Sequence, residues 1–317
     1  MKTHLPQDAA RPRTHLLIDG DVVAFSSAAA VQQVVIGDDG WATPMANTAV
    51  GEAVVENALW SLKEGLGADS FEVVLSDPAE NWRKSVDATY KTNRTGERPL
   101  LLTYLKDYLR AKHGAYHWPG LEADDVLSVK MTSPACFCLK ANLVCEGGDM
   151  CERLAYARVI CVGRDKDFKS IPGLHHTWKD LDGRGKPIVR EVTQWEADRW
   201  HLIQTLAGDA VDGFKGCPGL GMKRAAEIID SPHRLTPSEG VITRGKNKGE
   251  KVTKWVAEPT TDYWAAVVSQ YRKVGLGEPE ALVSARLARL LRHGEYDPET
   301  EELTLWTPEM LLGVGGA

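Results

Sequence analysis

Three short apolar runs along the chain each end at acidic residues. Continuous apolar runs of this length are typical of strands that are buried on both faces of a sheet. The runs, with the acids that follow them, are 15–18 with Asp19, 71–75 with Asp77, and 158–162 with Asp165 and Asp167. The pattern predicts three buried strands with carboxylates at their carboxyl ends.

Helical periodicity fills the intervals between these runs and most of the chain after residue 193. The predicted helices are 22–30, about 48–66, 100–112, 121–131, 193–207, 222–229, 261–274 and 278–292. A turn at 181–187 and a returning strand at 188–191 predict a hairpin, and 236–256 is predicted to be a loop or ribbon. Strands that alternate with helices predict an α/β fold, with a central, mainly parallel sheet flanked by helices. In such a sheet ligands bind at the carboxyl ends of the strands, where these acids would converge.

The composition is that of a soluble globular protein, with 43% hydrophobic and 26% charged residues. At 317 residues the chain exceeds a usual single core, so we expect two domains, 1–192 and 193–317. The first 13 residues have no apolar run after their charges, and no stretch reaches the roughly 18 apolar residues of a membrane span. We expect a cytoplasmic monomer with no membrane contact.

The formal net charge is −6, from 38 basic and 44 acidic side chains, which by itself argues against a nucleic-acid-binding protein. The distribution of the charge changes this picture. Residues 82–112 carry eight Lys or Arg against three Asp or Glu, and residues 215–254 carry nine against four. Two basic segments on an acidic body suit an enzyme that holds phosphates with one region and metal ions with another.

Six cysteines are present, and four of them lie close together. They are Cys136, Cys138, Cys145, Cys151, Cys161 and Cys217. Without a secretion signal, free thiols are expected rather than disulfides. The spacing of the first four lacks the paired C-x2-C of common structural zinc sites, so an inserted segment at about 133–153 is favoured over a zinc site.

Three acids, Glu122, Asp124 and Asp125, stand at the start of the predicted helix 121–131. The helix dipole alone enriches such positions in acids. Glu122 and Asp125 nevertheless share a helix face, where like charges repel unless a cation lies between them. Asp165 and Asp167 are predicted to point to the same side of an extended segment, although a solvated turn has the same composition.

Asp209 and Asp212 follow the predicted helix 193–207, where the negative end of the dipole disfavours acids without a compensating cation. With them, nine acids stand at strand and helix ends: Asp19, Asp77, Glu122, Asp124, Asp125, Asp165, Asp167, Asp209 and Asp212. Oxygen ligands alone suit Mg²⁺ or Mn²⁺. If the acids gather in one cleft, two ions activate the attacking water and stabilise the leaving oxygen of a displacement at phosphorus.

The segment 213–226 is rich in glycine and leads directly into a predicted helix. Gly219 and Gly221 permit positive φ and close approach of a backbone, while the free N–H groups of the helix face outward. This is a phosphate-binding arrangement, with Lys223 and Arg224 beside it; an ordinary Pro-Gly turn is the alternative. Trp82-Arg83-Lys84 and Tyr90-Lys91-x-x-Arg94 combine cations with aromatic rings, as single-stranded nucleic acid requires, although a basic solvated helix looks similar.

In matching order, residues 16 to about 229 resemble the 5′–3′ exonuclease and flap-endonuclease family, especially its phage-encoded exonucleases. The shared motifs are Ile-Asp19-Gly, Leu-Ser-Asp77, Trp-Arg83 with Tyr-Lys91-x-Asn-Arg94, Gly-Leu-Glu122-Ala-Asp124-Asp125, Asp165-Lys-Asp167-Phe, and Gly-Asp209-x-x-Asp212 with its glycine hairpin. The resemblance implies a PIN-like catalytic domain with an arch-like basic segment at about 80–113. It also implies a C-terminal helix-hairpin-helix element that grips DNA and binds a monovalent cation, K⁺, through hairpin carbonyls.

Roles for single residues follow from the same resemblance. Asp19, Asp77, Glu122, Asp124, Asp125 and Asp165 would hold or orient the catalytic metals, and Asp167, Asp209 and Asp212 would complete the second site. Arg83 corresponds to the arginine of the family's arch, which contacts the scissile phosphate. Many relatives have a lysine three residues before it, where this chain has Glu80, so Lys84 or Lys91 would substitute. The DNA-binding set is Arg83, Lys84, Tyr90, Lys91, Arg94, Gly219, Gly221, Lys223 and Arg224.

The predicted activity is metal-dependent hydrolysis of DNA near 5′ ends or flaps, with two ions and with RNA in RNA–DNA hybrids as a further substrate. A non-catalytic protein that binds branched DNA is the alternative, but it leaves the carboxylates unexplained. A phosphatase of the haloacid-dehalogenase type fits Asp19-Gly-Asp21 but leaves the glycine hairpin without a role. A PIN-like ribonuclease is a nearer alternative, against which the hairpin favours duplex DNA.

Overall fold

The computed structural model describes residues 14–38, 40–133 and 158–311, so the segment with the first four cysteines lies outside the described residues. The strands are β1 (Thr14–Asp19), β2 (Gln33–Ile36), β3 (Ala42–Met45), β4 (Ser70–Val74), β5 (Arg158–Gly163), β6 (Gly173–Thr177), β7 (Arg190–Val192), β8 (Gly208–Asp209), β9 (Phe214–Lys215), β10 (His233–Val241) and β11 (Lys251–Pro259). The helices are α1 (Gly20–Val31), α2 (Thr48–Gly65), α3 (Arg83–Val86), α4 (Leu102–His113), α5 (Ala123–Thr132), α6 (Gln194–Ala207), α7 (Met222–Asp230), α8 (Tyr263–Lys273) and α9 (Glu278–Ala288). Short 3₁₀ helices lie at Lys166–Ser170 and Pro308–Leu311.

The described residues divide into two compact units. The first takes 14–80, 97–192 and 291–303, and the second takes 81–96, 193–290 and 304–311, in each case where these are described. The helix predicted at 278–292 therefore ends earlier, at Ala288, and residue 291 already belongs to the first unit.

The first unit is built on a five-stranded sheet in the order β4–β1–β5–β6–β7. The first four strands are parallel, and β7 runs antiparallel to β6. Ile18 of β1 lies opposite Val73 of β4 and Val162 of β5, so the three predicted strands end together at one edge of the sheet. The predicted α/β architecture with a mainly parallel sheet is confirmed. Of the five strands of this sheet, β6 is the one that the sequence pattern missed.

Side-chain alternation on these strands explains how the sheet is covered. Leu16 and Ile18 of β1 pack into a core with residues of α1, α2 and α4, including Val23, Leu59 and Leu105. Side chains of neighbouring strand residues point to opposite faces, and α5 contacts β1, β4 and β5. Helices therefore flank the sheet, and β1 is buried along its whole length.

The second unit contains helices α3 and α6–α9 with two two-stranded ribbons, the short β8–β9 and the long β10–β11. Its main core joins α6, α7, α8 and α9 around residues such as Leu206, Ile229 and Tyr271. Helix α6 begins with a capping box between Thr193 and Glu196, at the start of the helix predicted over 193–207. The ribbon predicted as one of two possibilities for 236–256 is present as β10–β11. Within the described ranges, no helix combines the length and apolar character needed to cross a bilayer.

Candidate active site and nucleic-acid interface

Asp19 stands at the carboxyl end of the central strand β1 and caps helix α1. Its Oδ1 accepts hydrogen bonds from the N–H groups of Asp21, at 2.9 Å, and Val22, at 3.2 Å, and the residue is only 4% exposed. Burial, together with the negative charges of Asp21 and Asp165, raises the pKa of Asp19 to about 7. Acids that follow β1 and β5 therefore lie close enough to repel one another at this edge of the sheet.

Asp21 belongs to the same group of acids, although it is absent from the predicted metal ligands. Its Oδ2 accepts a hydrogen bond from the N–H of Ser76 at 3.3 Å, and its Oδ1 lies 2.8 Å from Nζ of Lys106. Asp21 thus joins the ends of β1 and β4 and positions a lysine from α4 beside the carboxylates. In the sequence, the position of Asp21 two residues after Asp19 was the signal that could have identified it as a member of this group.

Asp77 joins the turn that follows β4 to the loop that precedes α5. Its Oδ1 accepts from the N–H groups of Ala79, at 2.8 Å, and Glu80, at 3.3 Å, and its Oδ2 accepts from Gly120 at 2.7 Å. Burial alone would raise the pKa of Asp77, but these hydrogen bonds outweigh it and the pKa is lowered. Asp77 is therefore held as a carboxylate, and it sets the course of the chain just before Glu122.

The three acids at the start of α5 have different surroundings. The N–H of Ala123 donates to Oγ of Ser76 at 3.0 Å, which places this helix start beside the end of β4. Glu122 and Asp124 are partly exposed, whereas Asp125 is fully buried and accepts from the N–H of Leu291 at 3.2 Å. Asp125 thus anchors the segment after residue 290.

Asp124 and Asp19 both act on the buried thiol of Cys161. Burial is the largest cause that raises the pKa of Cys161, and the negative charges of Asp124 and Asp19 add to it. Cys161 lies on β5, next to β1 in the sheet. Asp124, at the start of α5, therefore lies close enough for its charge to act on the same thiol as that of Asp19. We call the four acids of the first unit that these charge effects connect, Asp19, Asp21, Asp124 and Asp165, the carboxylate cluster.

Asp165 and Asp167 do not lie on an extended segment, so that part of the prediction is wrong. Asp165 caps the 3₁₀ helix Lys166–Ser170, and its Oδ1 accepts from the N–H of Asp167 at 2.9 Å. The capping carboxylate turns the chain immediately after β5, which outweighs the preference of the preceding strand for extended backbone. Asp165 is exposed and Asp167 is half-buried.

In the second unit, Asp209 and Asp212 lie on and beside the short β8–β9 ribbon that follows α6. Asp209 is 4% exposed, and its Oδ1 accepts from the N–H groups of Val211, at 2.8 Å, and Asp212, at 3.4 Å. The carboxylate of Asp212 accepts from Arg94 at 2.5 Å and from the Tyr90 hydroxyl at 2.9 Å, and Nζ of Lys91 lies 3.5 Å away. Side-chain cations therefore already compensate Asp212, where we expected a bound cation to do so.

The basic segment 90–94 is held in place by contacts with residues 210–212. Lys91 has a φ of 58°, its N–H donates to the carbonyl of Asp212 at 2.8 Å, and its Nζ lies 5.0 Å from the centre of the Tyr90 ring. A non-glycine residue with this φ costs about 1–3 kcal/mol and persists only where its surroundings hold it. Asn93 adds a hydrogen bond from Nδ2 to the carbonyl of Ala210 at 2.8 Å. Lys91 and Arg94 are thus held in defined positions, whereas Tyr90 is 2% exposed and presents no open ring face for a base.

The glycine hairpin between α6 and α7 is closed by backbone contacts. A Cβ on Gly208 would stand 2.2 Å from the nitrogen of Gly216, so neither strand of the ribbon leaves room for a side chain there. Gly219 has a φ of 79°, which forms the turn before α7. Gly221 is extended and is the N-cap of α7, with nothing within 4 Å of the place of a Cβ. The first N–H groups of α7 therefore stay open to an approaching anion, with Lys223 and Arg224 exposed beside them.

Comparisons with known proteins show which proteins this chain is similar to. No family model matches the chain. The exodeoxyribonuclease of Enterobacteria phage T3 is 30% identical to it over 308 residues, which are 92% of each protein. The chain belongs to the 5′–3′ exonuclease and flap-endonuclease family. It is similar to the exonuclease of Escherichia phage T7, with 29% identity over 306 residues, which are 92% of this chain and 93% of the T7 protein. A solved structure of a mutant of the T5 5′-exonuclease aligns with a TM-score of 0.48 and 15% identity over 88% of each chain.

The family resemblance drawn from the ordered motifs is therefore confirmed, and the protein is a 5′–3′ nuclease. Arg83 of this nuclease has surroundings that the motifs did not predict. It is 1% exposed, its Nε donates to the carbonyl of Leu287 at 3.1 Å, and its Nη2 donates to the carbonyl of Arg289 at 2.5 Å. The guanidinium also lies 4.5 Å from the centre of the Trp82 ring. Arg83 thus caps the end of α9, while the adjacent Lys84 is exposed.

Arg83→Met is expected to lower the free energy of unfolding of this nuclease by about 2–4 kcal/mol, because two buried carbonyl oxygens at the end of α9 lose a charged donor. Urea denaturation measures this. Lys84→Met is the matched control, since it removes the same charge from an exposed neighbour and is expected to change stability by less than about 0.5 kcal/mol. Equal stability of the Arg83 variant and the unmodified protein would show that the capping bonds contribute little, and would favour the role at a phosphate that the resemblance implies.

Proposed function

We propose that this nuclease hydrolyses DNA phosphodiester bonds near 5′ ends and flaps, in a reaction that depends on divalent metal ions. The observation that carries the proposal is the crowding of carboxylates at the carboxyl end of β1, where Asp19 is buried beside Asp21 and Asp165. Such crowding is unfavourable without a cation. The T3 and T7 relatives are named as an exodeoxyribonuclease and an exonuclease, which supports DNA as the substrate.

The residues present fit a hard divalent cation. The donors of the cluster are carboxylate oxygens, and Asp19 has a raised pKa that a cation between the acids would reverse. In the proposal, Asp19, Glu122, Asp124 and Asp165 hold Mg²⁺ or Mn²⁺, while Asp77 and Asp125 orient the chain around them through their backbone hydrogen bonds. From the family resemblance alone, we also assign Asp167, Asp209 and Asp212 to a second ion, which would replace Arg94 and Lys91 as the cations beside Asp212. Bound ions supply an activated water and charge stabilisation at the leaving oxygen.

The chain's own residues orient the substrate. In the proposal, the exposed Lys84 and the fixed side chains of Lys91 and Arg94 contact phosphates of the DNA. The open N–H groups at the start of α7, with Lys223 and Arg224, hold the backbone of the duplex without reading bases. We further propose K⁺ at the carbonyls of the hairpin, a monomeric state, and RNA paired to DNA as an additional substrate, since a backbone contact does not depend on the base sequence.

The test uses duplex and flap DNA labelled at either the 5′ or the 3′ end, incubated with Mg²⁺, Ca²⁺ or EDTA. Release of short products from the 5′ end with Mg²⁺, and none in EDTA, is the expected result. Asp124→Asn should lose this activity while Asp107→Asn, which removes the same charge from the exposed face of α4, should keep it. Structure-selective binding with no cleavage in any metal would instead indicate a DNA-binding scaffold and overturn the proposal.

A further inference from the structure

The second unit carries a long ribbon that none of the roles above uses. Strands β10 and β11 pair over nine residues each, from His233 opposite Pro259 to Val241 opposite Lys251. Helix α8 packs against β10, and most of the distal half of the ribbon is exposed. At about 3.3 Å per residue, nine residues extend roughly 30 Å. The ribbon therefore carries its distal loop, residues 242–250, far from its base; we call this loop the ribbon tip.

The ribbon tip is an ordered turn. Its ends are closed by hydrogen bonds from the N–H of Ile242 to the carbonyl of Glu250, at 3.0 Å, and from the N–H of Gly249 to the carbonyl of Ile242, at 2.9 Å. Gly245 and Gly249 have φ values of 88° and 97°, which allow the chain to turn twice within this loop. The side chains of the tip are therefore presented on a defined backbone.

Those side chains form a concentrated positive charge on an otherwise acidic protein. The tip contains three basic side chains, Arg244, Lys246 and Lys248, against a single acid, Glu250, and the adjoining start of β11 adds Lys251 and Lys254. All six are exposed. Among the described residues, Arg244, Lys246 and Lys248 form no ion pair, whereas Lys251 pairs weakly with Glu239 at 3.6 Å. In the described part of the second unit, no acid forms an ion pair with Arg244, Lys246 or Lys248.

We propose that the ribbon tip is a second contact for the phosphate backbone of duplex DNA, in addition to the hairpin. The inference rests on the proposed function. Helix α7, whose start is the proposed backbone contact, ends at Asp230, and β10 begins at His233, so the ribbon continues directly from the DNA-holding element. A reach of roughly 30 Å corresponds to about nine base pairs of DNA at 3.4 Å each. The unbalanced cations match phosphates, which carry no sequence information, and this contact lengthens the stretch of duplex that the enzyme holds.

The experiment compares R244Q/K246Q/K248Q with the unmodified full chain. Binding of a labelled 30-base-pair duplex is measured by fluorescence anisotropy in EDTA, which prevents metal-dependent cleavage, over a range of salt concentrations. Each lost phosphate contact should lower the salt dependence by about 0.9, so three contacts lower the slope of log K against log salt by about 2.7. The ratio of the affinity of the unmodified protein to that of the tip variant should therefore fall about 40-fold between 50 and 200 mM salt.

The matched control is K179Q/R184Q/K186Q, which removes the same charge from an exposed turn of the first unit. Its slope should equal that of the unmodified protein, which separates local phosphate contacts from net charge. The inference is overturned if the tip variant binds duplex with an unchanged slope, or if both variants lose the same amount. Cleavage of the same duplex with Mg²⁺ is measured in parallel. If the unmodified protein cuts DNA but the tip variant keeps the unmodified slope, the inference alone is disproved. If the unmodified protein neither cuts nor binds DNA, the proposed function is disproved as well.

Discussion

Asp19→Asn is expected to lower the rate of DNA cleavage by about 10³-fold and, at the same time, to make the metal-free protein more stable. The loss of rate follows from the loss of a charged metal ligand, since a bound cation contributes several kcal/mol to the transition state. Asparagine keeps an oxygen that accepts from the N–H groups of Asp21 and Val22, so the cap of α1 is retained. What disappears is a negative charge that is buried beside two others.

The gain in stability should depend on pH in a defined direction. Burial and the neighbouring acids raise the pKa of Asp19 from 3.8 to about 7. Between these values the folded protein binds a proton that the unfolded chain has lost, so the stability of the unmodified protein falls as the pH rises. Asp19→Asn has no titrating group at this position, so its stability does not fall in this way. It should be more stable by roughly 2–4 kcal/mol above pH 7, and the difference should vanish below about pH 4.

Thermal unfolding in EDTA at pH 4, 6 and 8, repeated at pH 8 with Mg²⁺, measures the effect. Mg²⁺ should raise the Tm of the unmodified protein and leave that of Asp19→Asn almost unchanged. Asp107→Asn, an exposed acid on α4, serves as the control and should respond to Mg²⁺ as the unmodified protein does. If Asp19→Asn is less stable in EDTA at pH 8, Asp19 is a structural residue and not part of a cation site.

Glu72→Gln is expected to be strongly destabilising, by about 3–5 kcal/mol, because it removes the negative charge that compensates a buried lysine. Nζ of Lys130, on α5, donates to Oε2 of Glu72 at 2.7 Å, and to the hydroxyl of Tyr116 at 2.8 Å. The side chain of Lys130 is 5% exposed. His15 of β1 lies on the other side of the carboxylate, at 3.7 Å. The group ties α5 to the sheet at β4 and β1.

The contribution of Glu72 should also be lost in acid. Burial raises the pKa of Glu72, but His15 and Lys130 outweigh it and lower the pKa from 4.5 to about 2. A lowered pKa gives stability that is complete above about pH 4.5 and is lost as the pH falls toward 2. Urea denaturation between pH 2.5 and 7 should show the unmodified protein and Glu72→Gln converging in acid. Glu64→Gln, at the exposed end of α2, is the control and should stay within about 0.5 kcal/mol at neutral pH. A Glu72 variant as stable as this control would contradict the account.

The sequence was sufficient for the parts of the fold that rest on local signals. Three apolar runs predict β1, β4 and β5, because strands buried on both faces require continuous apolar residues. Helical periodicity predicts α6 over 193–207, and the structure shows a capping box at its start. Strand β6 was missed because its sequence, Gly-Leu-His-His-Thr, is neither apolar nor alternating. It is stabilised by pairing with β5, which is a contact between distant residues.

The candidate site shows the same division. Acids at strand ends were predictable because chain direction places them at one edge of a parallel sheet. The surroundings of Arg83 and Asp212 were not predictable, because the partners that bury them lie 204 and 118 residues away along the chain, at Leu287 and Arg94. A motif identifies which residue types stand together in sequence. Whether an arginine faces solvent or caps a distant helix is decided by tertiary packing.

The return of residues 291–303 to the first unit has a consequence for biosynthesis. This segment supplies the N–H of Leu291 to Asp125, the N–H of His293 to Thr132, and a Tyr296 ring stacked on Trp118 at 5.7 Å. A nascent chain of 192 residues therefore lacks partners that its first unit needs, and an acid that is buried in the finished protein stays in water. Asp125 and helix α5 gain these partners only after residue 296 has left the ribosome, so a product that terminates at residue 192 should not fold into a stable first unit in the cell.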